Sequence, residues 1–86
     1  MSEISRFLGI VIRMYFDEHN PPHFHAEYAE FEAVVSIATL SIIHGKLPPR
    51  VRGLVIEWAT LHQTELQKNW DRMRADTQPV RIEPLQ

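Results

Sequence analysis

The chain has no cysteine among its 86 residues, which excludes a disulfide scaffold, a zinc ribbon and any thiol nucleophile. It has no basic excess: nine Lys and Arg face eleven Asp and Glu, for a net charge of −2. That is not the profile of a DNA-coating protein, although it leaves room for a local basic patch. No apolar run approaches the ~20 residues of a membrane span. No basic-then-apolar leader opens the sequence, so the expectation is a cytoplasmic protein with no membrane partner. Glycine is scarce, at three residues, and no Gly/Ser linker, internal repeat or low-complexity stretch divides the chain. The composition that remains, 44% hydrophobic and 23% charged, is that of a folded protein. Its length supports one modest core, hence a single domain over residues 1–86.

Charge is unevenly placed. Residues 1–45 carry two basic against six acidic residues, a balance of −4, and four of the five histidines. Residues 46–86 carry seven basic against five acidic residues, a balance of +2.

Phe7 to Phe16 reads as one strand, with Leu8, Ile10, Ile12, Met14 and Phe16 aligned at period two. The opposite face, Phe7, Gly9, Val11, Arg13 and Tyr15, is only partly polar. A strand apolar on both sides is central in its sheet or meets a second surface, which makes a homodimer or heterodimer an expectation. Asn20-Pro21-Pro22 ends the run, because proline lacks the amide a ladder needs and restricts the residue before it. His23 to Tyr28 and Phe31 to Ile37 alternate again across a step of hairpin length, and Ser41 to His44 suits a fourth strand closed by Gly45. Pro48-Pro49 fits the first turn of a helix. Val51, Leu54, Val55, Trp58, Leu61, Leu66, Trp70 and Met73 then recur at three- and four-residue steps, predicting one long helix over 48–77. The tail, 78–86, has a short alternation of its own that suits an edge strand. The expected fold is therefore α+β: a four-stranded, mainly antiparallel sheet in 1–47 packed on one long C-terminal helix, ββββα, in a two-layer sandwich.

Asp17-Glu18-His19-Asn20-Pro21-Pro22-His23-Phe24-His25-Ala26-Glu27 is the stretch that invites chemistry. On a strand, His23 and His25 share a face with Cβ atoms ~7 Å apart, and Glu27 continues the line. Three uses are open. His-x-His with a third ligand from a nearby loop suits a divalent metal such as zinc, iron, nickel or manganese. Without metal, His23 and His25 could serve as acid and base, with Glu27 orienting one of them and His19 close by. Alternatively, the imidazoles are structural, bonded to neighbouring carbonyls or carboxylates. Catalysis requires them to gather in a solvent-reachable pocket. Sealed, with their nitrogens occupied, they leave only a binding scaffold.

Other residues carry weaker signals. Arg50 and Arg52, with Lys46, stand at the helix start, where positive charge opposes the helix dipole and so hints at an anionic counterpart. Arg13 is a further candidate for phosphate contact; the alternative for all of them is an ordinary solvated surface. His62 falls beside the apolar stripe, either as a core-edge residue or over the sheet near His23 and His25. His44 reads as an exposed turn residue, and Trp58 and Trp70 as core or interface anchors.

Ser5 to Ile12, Asp17 to Ala26, Leu47-Pro48, Glu57-Trp58 through Asn69-Trp70, and Ile82-Glu83-Pro84-Leu85 together resemble the bacterial domain of unknown function 4160 family. The His-Asn-Pro-Pro-His-Phe-His core is the distinctive part; Ala38 to Ser41 departs from the family's usual polar, glycine-containing hairpin. The resemblance implies no assigned activity. It implies an operon shared with a second small, DUF 2442-like protein, a layout resembling toxin–antitoxin modules. The expectation that follows is a toxin-like member acting with that small protein partner. Its expected chemistry is RNA cleavage by His23 and His25, with Arg13 or Arg50 steadying phosphate charge. The alternatives are a non-catalytic module, neutralising a partner or anchoring to DNA, and a metal-binding domain.

Overall fold

The structure, a computed structural model, describes residues 2–86. Five strands and two helices follow one another: β1 Ser2–Phe7, β2 Ile10–Met14, β3 His23–Tyr28, β4 Phe31–Ser36, β5 Ile42–Gly45, α1 Pro49–Leu61 and α2 Gln63–Arg74. The strands lie in sequence order, β1-β2-β3-β4-β5, each antiparallel to its neighbour. Among the described residues no helix is long and apolar enough to cross a membrane.

The α+β class and antiparallel sheet agree with the sequence, but the sheet has five strands rather than four. The run from Phe7 to Phe16 is two strands joined by a two-residue turn. Phe7 pairs with Ile10, and both connecting residues take positive φ, Leu8 at 50° and Gly9 at 80°. This is the backbone sign pattern of the favoured hairpin turn, and Gly9 adopts it without a Cβ penalty. The turn resets the alternation. Phe7 and Ile10 both enter the core, while Leu8, which period two assigned to the stripe, is 65% exposed. Phe7 therefore belongs to the core side of a different strand, and the two-sided apolar strand no longer exists as read.

The single long helix is likewise two helices, interrupted at His62 with φ −123° and ψ 23°. Three local interactions accompany the break. Thr60 Oγ1 donates back to the Ile56 carbonyl at 2.7 Å, a bond that bends helices. His62 Nδ1 meets a Glu65 carboxylate oxygen at 2.5 Å. Gln63 Nε2 donates to the Ile37 carbonyl at 2.6 Å, tying the start of α2 to the turn that follows β4. The apolar rhythm passes through the joint unaltered, since Trp58, His62, Leu66 and Trp70 step by four. Leu61, however, lies off the stripe and is 67% exposed.

One face of the sheet meets both helices. Ile4, Ile10, Ile12, Met14, Phe24, Ala26, Ala33, Val35 and Ile37 pack there against Val51, Val55, Trp58, Ala59, Leu66, Trp70 and Met73. Trp58 is fully buried, with its ring 5.5 Å from Phe7 and 5.9 Å from Phe24. The tail forms no strand; it lies extended beside β1 and α2, with Ile82 N–H donating to the Ile4 carbonyl at 2.8 Å. Buried Asn69 grips Val80 on both sides, its amide donating to the carbonyl at 2.7 Å and its oxygen accepting from the N–H at 2.8 Å.

Two predictions follow from this packing. Gly45 has φ 77°, and a Cβ there would run into the Glu32 carbonyl oxygen of β4. Gly45→Ala is expected to cost at least about 2 kcal/mol, read as a fall in urea midpoint with unchanged m-value. Glu3 is shared by Arg6 and Arg81, whose hydrogen bonds hold its carboxyl down to about 2. A lowered carboxyl contributes stability that is complete above the unfolded value and is lost as pH falls through the folded one. The melting-temperature gap between the wild type and Glu3→Gln should therefore narrow steadily as pH drops from 4.5 toward 2. A gap that widens in that window contradicts the pairing.

Candidate functional site

The loop after β2, the first residues of β3 and the end of α2 converge at one end of the sheet. Phe24 and Ala26 point into the core, so alternation sends His25 and Glu27 to the opposite face. His23, the first residue of β3, is 8% exposed; its ring lies 5.4 Å from that of His25 and 5.1 Å from that of Trp70 on α2. Tyr15 packs edge-on against His25 at 4.6 Å. The loop carries Glu18 back over both imidazoles. One oxygen, Oε1, lies 2.5 Å from His25 Nε2 and 3.3 Å from His23 Nε2. Arg74 fixes the loop by donating to the Glu18 carbonyl, and its guanidinium sits 5.8 Å over the Trp70 ring.

The other ring nitrogens face outward to fixed acceptors. His23 Nδ1 lies 2.8 Å from the Pro21 carbonyl oxygen. His25 Nδ1 lies 3.2 Å from a carboxylate oxygen of Glu32, which stands on β4 diagonally across from it. A carbonyl oxygen only accepts, so Nδ1 of His23 carries a proton and donates to Pro21, leaving Nε2 as the nitrogen that faces Glu18. Burial pushes the Glu18 carboxyl up, but the hydrogen bonds and charges of His25 and His23 outweigh it and hold the group below the usual carboxylate range. The Tyr15 phenol is pushed up by burial and by the negative charges of Glu27 and Glu32. Ring nitrogens and a carboxylate oxygen aimed at one point repel each other unless a proton or a cation stands between them. Donor atoms of Glu18, His23 and His25 all lie within 4.8 Å of one another.

The structure brings together only part of the set read from the sequence. His23 and His25 meet, with side chains 10% and 14% exposed and every ring nitrogen within reach of a partner. Glu27 turns instead to Arg13, at 3.1 Å, across the β2–β3 pair. His19 is exposed and lines a neighbouring cleft of about 410 Å³, which Glu18 and Arg74 also line. Arg50 borders a different cavity with Leu8 and Tyr28, at the far end of β3, five residues or about 17 Å away. Arg52 is exposed on the first turn of α1, and His44 is exposed on β5. His62 partners Trp58 and Glu65 rather than the histidine pair.

Glu18 and Glu32 were not singled out from the sequence. Glu18 had a signal, since a carboxylate three residues before a double proline lies in the loop where the chain reverses toward the following strand. Glu32 had none that period two could supply, because diagonal pairing depends on the β3–β4 register.

Residues 9–71 match the model of a family described as Domain of unknown function (DUF4160). The matched span contains Glu18, His23, His25 and Glu32. No curated protein and no solved structure matches the chain.

The tautomer is directly testable. Long-range ¹⁵N–¹H correlation spectra should show His23 protonated at Nδ1; a His23 bearing its only proton on Nε2 would contradict the bond to the Pro21 carbonyl.

Proposed function

The chain belongs to the DUF4160 family, whose description assigns no activity; from the geometry of its histidine cluster we propose that it is a metal-binding domain. Nε2 of His23, Nε2 of His25 and a carboxylate oxygen of Glu18 would hold one divalent ion. The observation that carries this reading is the direction of the nitrogens. Both Nε2 atoms face the same Glu18 oxygen, while the Nδ1 atoms are taken by a carbonyl and a carboxylate. Metal-ligating histidines are commonly oriented in this way, with the far N–H bonded to a carbonyl or carboxylate that fixes tautomer and raises basicity. Two imidazoles and one carboxylate suit zinc, iron, nickel or manganese rather than calcium or magnesium. Three protein ligands leave a coordination position open, and an ion so placed supplies Lewis-acid chemistry or an activated water for hydrolysis. The cleft bordered by Glu18, His19 and Arg74 reaches the cluster only at Glu18; neither His23 nor His25 lines it.

A second reading is supported by one distance. The 2.5 Å contact between His25 Nε2 and Glu18 is also that of a charge-assisted hydrogen bond, which needs no ion. In this reading the cluster is a hydrogen-bonded network. With side chains 10% and 14% exposed and every ring nitrogen partnered, His23 and His25 do not meet the condition for acid–base catalysis, and the chain is a non-catalytic binding module acting beside a small DUF 2442-like partner.

Metal analysis and titration of untagged protein separate the two. Under the metal reading, zinc or manganese binds at one ion per chain, and His23→Ala or His25→Ala weakens binding on the order of 100-fold. At a free ion concentration 100 times Kd, binding adds about 2.7 kcal/mol and raises Tm by on the order of 10 °C. Glu27→Gln should leave the affinity unchanged. Stoichiometric binding that survives His25→Ala, or no binding at all, sinks the metal reading. Absence of metal binding together with absence of RNA cleavage would then favour the second.

A further inference from the structure

A cleft of about 200 Å³ lies on another side of α2, between that helix and the C-terminal tail. Lys68, Arg72 and Arg81 bring three positive charges to its wall, against one carboxylate, Glu65. Glu65 is engaged by His62 Nδ1 at 2.5 Å. Arg81 shares Glu3 with Arg6, so one carboxylate answers two guanidiniums and the triad keeps a net positive charge. Among the described residues, Lys68 and Arg72 have no carboxylate within ion-pair distance.

The cleft is held by a buried group. Asn69, 1% exposed, accepts at Oδ1 from Arg72 Nη1 at 2.8 Å and from Val80 N–H at 2.8 Å, while its amide donates to the Val80 carbonyl. One side chain thus fixes the tail that forms one wall and orients the guanidinium on the other. A bond to a neutral amide oxygen leaves the charge of Arg72 uncompensated and its other N–H groups free. A cation in the last turn of α2 suits the helix dipole. The dipole does not account for Lys68 one turn earlier, where like charges four apart repel, nor for Arg81 brought in from the tail.

We propose that this cleft binds a phosphate group. The guanidinium of Arg72 would take two phosphate oxygens, with Lys68 and Arg81 completing the charge. A planar fork of donors matches a tetrahedral oxyanion. The phosphate could belong to a small phosphorylated molecule or to a nucleic-acid backbone. The site uses none of the groups in the histidine cluster, since Asn69 and Trp70 send their side chains to different neighbours, the tail and His23. It therefore stands or falls separately from metal binding.

The test titrates ¹⁵N-labelled full-length protein with pyrophosphate and, separately, with a short fluorescein-labelled single-stranded RNA at about 50 mM salt. Saturable shifts are expected at the amides of Asn69, Arg72 and Val80 to Ile82. Lys68→Gln, a change at an exposed residue, should weaken binding by about 3-fold, and Lys68→Gln with Arg72→Gln by at least about 10-fold. Both variants should retain the metal affinity and the melting behaviour of the wild type within about 3 °C. Pyrophosphate binding alone identifies a small phosphorylated ligand. RNA binding that pyrophosphate displaces, and that falls linearly on a log–log salt plot, identifies a backbone. The proposal is overturned if neither probe shifts these amides up to about 10 mM pyrophosphate. It is equally overturned if Lys68→Gln and the folded double variant bind as the wild type does.

Discussion

A fully buried indole must place its N–H somewhere, and in this protein that requirement joins the whole chain. Trp58 sits in the second half of α1 against Phe7 of β1 and Phe24 of β3, and its Nε1 donates to the Glu83 carbonyl of the tail at 2.8 Å. An aromatic residue buried to this degree contributes on the order of 3–5 kcal/mol relative to alanine. Its polar tip adds a constraint that apolar packing alone lacks, since the tail must pass over α1 for the N–H to be satisfied. Asn69 makes the same demand from α2. Two helical side chains with buried donors thus hold down a segment that has no regular structure of its own.

The joint at His62 matters for the same reason. A straight helix would carry its second half along the line of α1. The break lets α2 take its own direction, with Trp70 reaching His23 and Arg74 reaching the loop that bears Glu18. The polar cluster is thereby supported from three elements. Strand β3 supplies the imidazoles, β4 supplies Glu32, and α2 supplies an aromatic floor and an arginine tether. A site built in this way holds ring orientations through packing and outer hydrogen bonds rather than through the ligands alone.

Much of this could be read in advance. Period-two alternation correctly turned Phe24 and Ala26 away from His25 and Glu27, and the helical stripe identified Val51, Val55, Trp58, Leu66, Trp70 and Met73 as core. Two boundaries were hidden by continuity of pattern. The hairpin at Leu8-Gly9 was masked because leucine occupies a turn position that usually signals itself with Asn or Asp. The joint at His62 was masked because a bend changes the direction of a helix and need not change its phase. At the cluster, sequence proximity favoured Glu27, two residues along the same strand face. In three dimensions Arg13 draws that carboxylate away on the neighbouring strand, and Glu18 takes its place from the loop.

The order of residues by itself determined the α+β class, the antiparallel sheet, the amphipathic helical face and the clustering of His23 with His25, because these depend on local period and on proline's missing donor. Tertiary structure alone decided which carboxylate meets the imidazoles, where the helix divides, and that Lys68, Arg72 and Arg81 line one cleft. Those outcomes depend on strand register, loop path and long-range hydrogen bonds between residues distant in sequence, and no local pattern encodes the distance between them.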